Sequence, residues 1–508
     1  MRVALYIVLM LGIASFAYGQ APDGIDSEVV ESGLEPLQQF DLPTLTGFDE
    51  TFAANDAPPE PDVAASVVID DDFTKQLAIR LAEVEKELKE IKKKNEAAAK
   101  KSAKGADEKK PDDGAWLDMS TDKWNVKMGG HVQADYIVWP HADESIAENA
   151  PDPGPKNYFE FRRIRLSADG TGYGVYDFRL QMTLEPETVS DTPGAQVSPV
   201  VKDAYFSINE IPWLGRLRIG NFFVPFSLEQ VTNDTNNIFL ERSIPTQGIF
   251  AADREVGIAT YNCTADQRLG WASGVFFDSI SEAAKQRIDN NQGYRVSGRV
   301  TYVPYYDEPS NGRYVVHTGA GILHTADQDH SVRFRARPQV RLGPRIIDSG
   351  VLNADSYTTG NIEGAVVWGN FTVQSEAFLS AVNMNLTDSK SLSGAYLHAS
   401  YFLTGENRLY ERFGQHGAQF ARNVPYSNVF AVPGAISLGA WELKARWSNL
   451  NLNSFDQGVY NDLTVGFNWY WSDRTRIMFD WIHPVTSSAA IYGQTQSDIL
   501  GMRFDFNW

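Results

Sequence analysis

The residues best suited to chemistry in this chain are basic side chains that recur at every second position. Arg163 and Arg165 share one parity, as do Arg216 and Arg218. Arg333, Arg335 and Arg337 alternate with Val332, Phe334 and Ala336 in the densest such run. Arg179, Lys202, Lys444 and Arg446 occupy polar positions of other alternating segments. Arginine offers a planar fork of donors that stays charged at any relevant pH, which suits contact with phosphate-like oxygens. Rings of Arg or Lys select anions in pores. The competing expectation is a wall arginine neutralised by an inward carboxylate such as Asp177, Asp203 or Glu442. Enzyme chemistry finds little support. The eight histidines are scattered, and the chain contains no H-E-x-x-H, no G-x-S-x-G and no G-x-x-x-x-G-K-[ST] motif. The expectation is therefore a protein that is not an enzyme and takes no cofactor and no metal.

Such residues need strands to place them. In 124–139 the even positions Val126, Met128, Val132, Ala134, Tyr136 and Val138 are apolar, while Asn125, Lys127, His131, Gln133 and Asp135 are polar. The segments 176–185 and 441–447 repeat the pattern, and a period of two assigns each set to one face of a strand. The apolar faces end in Trp or Tyr, as lipid-facing strands do at their aromatic girdles. The polar faces carry successive inward charges, which a dry core accepts only if every one is paired and a water-filled lumen accepts freely. The final residues Met502, Phe504, Phe506 and Trp508 alternate with Arg503, Asp505 and Asn507, resembling the C-terminal strand by which outer-membrane proteins engage their assembly machinery. The predicted fold is all-β: a transmembrane antiparallel barrel of about 16 strands, with 18 possible, over 116–508. Short turns on one side and long loops on the other would connect them, around an aqueous channel.

Composition and the N-terminal third fit this reading. The 508 residues carry a net charge of −20, which argues against a nucleic-acid partner. The single Cys263 excludes an intrachain disulfide or a cysteine zinc cluster. Residues 1–19 have the basic start, apolar stretch and Ala17-Tyr18-Gly19 end of a secretory signal. Segment 20–72 holds fourteen acidic and no basic side chains and is expected to be disordered. Over 73–95, Leu77, Leu81, Val84, Leu88 and Ile91 recur as a heptad seam that Asn95 continues, predicting a short coiled-coil helix. Residues 96–115 read as a linker.

Several segments add a family resemblance. Phe161-Arg162-Arg163-Ile164-Arg165-Leu166, Lys202-Asp203-Ala204-Tyr205, Val224-Pro225-Phe226-Ser227-Leu228-Glu229 and 239–245 resemble, in order, stretches of the phosphate-selective porin O and P family. So do 401–408, 439–443 and 466–470. The resemblance implies a 16-stranded homotrimeric porin in the outer membrane of a Gram-negative-type envelope, surrounded by lipid, its N-terminal segment periplasmic and a long loop folded into the pore. It also implies a ladder of inward basic residues passing small hydrophilic solutes, anions such as phosphate among them. One departure tempers this. Phe223 stands where the family pattern has a basic residue, and the expected constriction loop 230–237 has no Lys or Arg. A general porin is therefore expected rather than a high-affinity phosphate site. The alternatives are a sugar-type or non-selective channel, with Phe222, Phe223 and Phe226 as an apolar track, and a structural envelope anchor.

Overall fold

The computed structural model describes residues 123–150, 154–185, 199–277, 293–326, 330–430 and 437–508. The proposed signal, acidic arm, coiled-coil seam and linker lie outside the described residues.

Sixteen long strands run antiparallel in chain order. The first eight are β1 (Trp124–His141), β2 (Tyr158–Gly172), β3 (Tyr176–Thr183), β4 (Val200–Ile211), β5 (Gly215–Phe223), β6 (Arg254–Cys263), β7 (Leu269–Phe276) and β8 (Tyr294–Tyr306). The others are β9 (Tyr314–Ala326), β10 (Ala354–Trp368), β11 (Phe371–Met384), β12 (Lys390–Phe402), β13 (Ala440–Asn451), β14 (Val459–Tyr470), β15 (Thr475–Thr486) and β16 (Asp498–Asn507). Each pairs with its chain neighbours, and β16 pairs back onto β1 from His131–Asn507 to His141–Asp498. The sheet is a closed barrel of sixteen strands rather than eighteen, with no open edge.

The alternation of the sequence sets the two faces of the wall. On β1, His131, Gln133 and Asp135 are buried inside while Tyr136 is exposed outside. On β16, Arg503 and Asp505 face inward and Met502, Phe504 and Phe506 face outward. An outer aromatic belt includes the stacked Trp441 and Trp469, whose ring centroids lie 5.0 Å apart.

Seven connections share the rim where the short turns lie, and six of these are brief. The seventh breaks the predicted division into short turns and long loops: within it, residues 408–423 fold back into the lumen, carrying the hairpin Tyr410–Gly414/Gly417–Phe420. From the long-loop rim, segments 224–253 and 330–353 also fold inward. Phe226, Ile244 and Phe250 of the first and Val332, Phe334 and Ile347 of the second share one apolar cluster with Phe378, Tyr396 and Tyr460 of the wall.

Closure rests on a close approach at the seam. Gly130 and Trp508 exchange both backbone hydrogen bonds, at 3.4 and 3.1 Å. A Cβ on Gly130 would lie 2.4 Å from the Arg165 carbonyl oxygen and 2.4 Å from the Trp508 ring. Gly130→Val is therefore expected to destabilise the closed barrel by roughly 1–3 kcal/mol, the usual range for overpacking. Urea titration of the folded barrel, followed by its gel mobility, measures this.

Candidate functional site: the lumen constriction

Two β-bulges build the constriction. Between β1 and β2, Gln133 pairs with Arg163 and Ala134 with Phe161, which leaves Arg162 as the extra residue. A bulge sets two residues against one and re-aims side chains. Arg162 and Arg163 consequently both reach inward and both contact Glu241, at 2.6 and 3.5 Å. Between β3 and β4, Gln181 pairs with Asp203 and Met182 with Val201, so Lys202 is the second extra residue. Both bulged cations border the same cavity of about 270 Å³, together with Arg163, Arg165, Arg242, Arg254 and Arg341. The acids of that cavity are Glu185, Asp234, Glu241 and Asp253.

Loop 224–253 supplies the opposite side, and the wall holds it largely by its main chain. Glu376 of β11 accepts hydrogen bonds from the backbone N–H of Leu228 (3.1 Å) and of Glu229 (2.8 Å) at the one-turn helix Leu228–Val231. Asp480 accepts from the Leu240 N–H at 2.9 Å. Lys444 donates to the Ile238 carbonyl (2.5 Å), Arg476 to that of Asn237 (2.8 Å) and Arg446 to that of Glu241 (3.0 Å). Arg242, on the loop itself, donates to the carbonyls of Glu229 (3.0 Å), Gln230 (3.1 Å) and Thr232 (2.9 Å). Segment 408–423 meets the loop from the other rim, where the Phe420 N–H reaches Thr232 Oγ1 at 3.3 Å. Arg216 donates to the Gly414 and Gln415 carbonyls, and Arg299 to that of Ala418, fixing this segment to the wall.

At the neck between this cavity and the next, Asp234 Oδ2 lies 3.0 Å from Arg163 Nε and 2.6 Å from Arg165 Nη1. Burial alone would raise the Asp234 carboxyl, but Arg165 and Arg163 outweigh it and hold it well below the usual carboxylate range. Glu241 behaves alike: burial opposes ionisation, and Arg162, Arg163 and Arg503 overcome it. Beyond this neck, toward the short-turn rim, lie two cavities of about 530 and 420 Å³ that share Lys127 and Asp169. Arg179 and Arg474 border the first, Arg216 and Arg218 the second. Altogether twelve basic and six acidic side chains border the three cavities, although the whole chain has a net charge of −20.

Among the predicted basic residues, Arg163, Arg165, Arg179, Lys202, Arg216 and Arg218 border these cavities. Lys444 and Arg446 do not. They point inward as parity required, but they are buried beneath loop 224–253, where Lys444 pairs with Asp480 at 2.6 Å. The run Arg333, Arg335 and Arg337 is not a barrel strand. Only Arg335–Ala336 is extended, paired with Ile347–Asp348 in the long-loop segment; Arg333 is ion-paired to Asp348 and Arg337 donates to the Gly343 carbonyl. Its alternation arises because Val332, Phe334 and Ala336 dock into the apolar cluster. Phe222, Phe223 and Phe226 are buried and form no track; Arg254 stacks 3.8 Å from the Phe223 ring centroid. Arg162 on its bulge and Arg242 and Arg341 on returning segments carry no parity signal, whereas Lys127 stands on the polar face of β1 and Arg254 opens β6.

Residues 126–508 match the family model for phosphate-selective porin O and P. The chain belongs to that family. A protein of Caulobacter vibrioides is 29% identical over 347 residues, covering 66% of this chain and 62% of that protein. Among solved structures, an anion-selective porin from Comamonas acidovorans aligns over 76% of this chain and all of its own, at 14% identity and TM-score 0.48. The outer membrane channel DcaP of Acinetobacter baumannii aligns over 77% and 99%, at 9% identity and TM-score 0.47. Membership of that family and the closed sixteen-stranded sheet make the porin an outer-membrane β-barrel channel, its lumen narrowed by its own folded-in segments.

Two outcomes follow from the fastening of its loop. Glu241→Ala removes the bidentate partner of Arg162 and is expected to destabilise the loop by about 3 kcal/mol, as breaking one buried ion pair does; limited proteolysis within 224–253 reads this. The carboxyls of Asp234 and Glu241 both titrate lower in the folded chain than unfolded. Their stabilising contribution is therefore complete above about pH 5 and is lost as pH falls below it. Protection of the loop from protease should be flat between neutral pH and that point and decline under stronger acid.

Proposed function

We propose that this porin is a passive diffusion channel favouring small hydrophilic anions, inorganic phosphate among them. The observation that carries the reading is the twofold excess of basic over acidic side chains along three cavities of the lumen, in a chain acidic overall. A narrow, low-dielectric passage responds to the charges lining it rather than to net charge, because its walls focus the local field. An anion entering at the long-loop mouth would meet exposed Arg333 and Arg335, then the bulged Arg162 and Lys202, the Arg163–Arg165 neck, and finally Lys127, Arg216 and Arg218. No step consumes energy beyond the concentration gradient and the membrane field.

The pairing of so many guanidiniums supports general anion passage over tight phosphate capture. Asp203 neutralises Arg254 (2.8 Å) and Arg179 (3.3 Å), and Asp234 neutralises the neck. The proposed assembly is a homotrimer in lipid. Strand β1 begins beside the turn Tyr173–Val175, at the short-turn rim, which supports a periplasmic position for that rim and for residues 20–115.

Reversal potential across a planar bilayer in a salt gradient tests the reading, with the sign of an anion-preferring pore expected. Joint substitution Lys202→Ala and Arg341→Ala should lower the anion-to-cation permeability ratio roughly two- to fivefold, as loss of two focused charges predicts. A cation-preferring wild-type pore would exclude it.

A further inference from the structure

The neck contains an anion of its own. Asp234 borders the upper cavity, whereas its neighbours Asn233 and Thr235 border the lower one, so its carboxylate stands at the junction between them. It is carried on a turn closed by the Asn236 N–H to the Asn233 carbonyl, at 2.8 Å. Only Oδ2 engages the arginines; Oδ1 is buried with no hydrogen-bond partner among the described residues. Two other carboxylates that pair with lining arginines are held differently. Asp203 belongs to strand β4, and Glu241 uses both oxygens, on Arg162 and Arg503. Asp234 is therefore a loop-borne carboxylate that leaves one buried oxygen unused while the other is seated on the guanidiniums of Arg163 and Arg165.

We infer that Asp234 is a tethered counter-anion that occupies the Arg163–Arg165 pair and that a permeating anion must displace or share. This deepens the reading of the pore as an anion channel and rests on it. A carboxylate presents to arginine the same paired-oxygen geometry as a phosphate edge, so the two compete for one set of donors. Competition from a tethered group weakens binding of the free anion at the neck. A channel needs such weakening, since an ion must leave a site as readily as it enters. Asp234 thus sets the balance between phosphate retention and phosphate flux.

The test is single-channel conductance of the refolded full chain in chloride, with inorganic phosphate titrated as blocker. Asp234→Asn and Asp234→Ser remove the charge, and Asp234→Glu keeps it. Both neutral variants should be blocked by phosphate at about tenfold lower concentration than wild type, the effect of freeing one charge-assisted contact. Asp234→Glu should stay near the wild-type value. Protease protection of 224–253 and gel mobility of the folded barrel confirm that the loop is in place. If both neutral variants fold, remain anion-preferring and show unchanged or weaker phosphate block, Asp234 is only a pin for the loop and the inference is overturned. If Asp234→Glu tightens block as much as Asp234→Asn, the charge is irrelevant and the inference fails as well. A wild-type pore without anion preference would instead defeat the proposed function itself, which separates the two failures.

Discussion

Everything in this barrel depends on one arrangement: charged wall side chains hydrogen-bonded to the main chain of segments that enter the lumen. Ordering a loop of this length against water opposes its conformational entropy, residue by residue. Glu376 and Asp480 accept from its amides, while Lys444, Arg446 and Arg476 donate to its carbonyls. Because these bonds go to backbone atoms, they fix the path of the loop whatever side chains it presents elsewhere. The alternating charges that mark an inward face thus have two uses. On β11, β13, β15 and β16 they fasten the loop, and on β1–β6 many border the cavities, some of them while also holding a returning segment, as Arg216 does.

The charge distribution follows from that division. Fastening consumes most inward cations of one half of the barrel, and the two bulges add Arg162 and Lys202 to the other half. A bulge is an economical way to enrich one face, since it turns a residue inward without altering the strands beyond it. Along these three cavities basic side chains outnumber acidic ones, opposite in sign to the net charge of the chain. Phe223 takes part by contact rather than by charge: the Arg254 guanidinium centre stacks 3.8 Å from its ring centroid.

The sequence was a good guide wherever period two ran undisturbed. Arg163, Arg165, Arg216 and Arg218 face inward as their parity required, and Met502, Phe504 and Phe506 face outward. It misled where the same period had another cause. The alternation at 332–337 reflects an apolar edge docking under arginines on a lumen loop, and parity does not distinguish that from a barrel strand. It was silent on the return of 408–423 into the barrel, because a hairpin that packs on lumen residues shows no lipid-facing side to identify it.

By itself, then, the sequence determined the barrel, its inward and outward faces, and the type of charge available inside. Those properties depend on local alternation, which one strand displays without reference to any other. Only the tertiary structure decided which of those charges border the passage. That choice depends on strand register at two bulges and on where three chain segments re-enter the lumen. Both are set by contacts between residues far apart in the chain, as when Asp234 of the loop settles on Arg163 and Arg165 of β2.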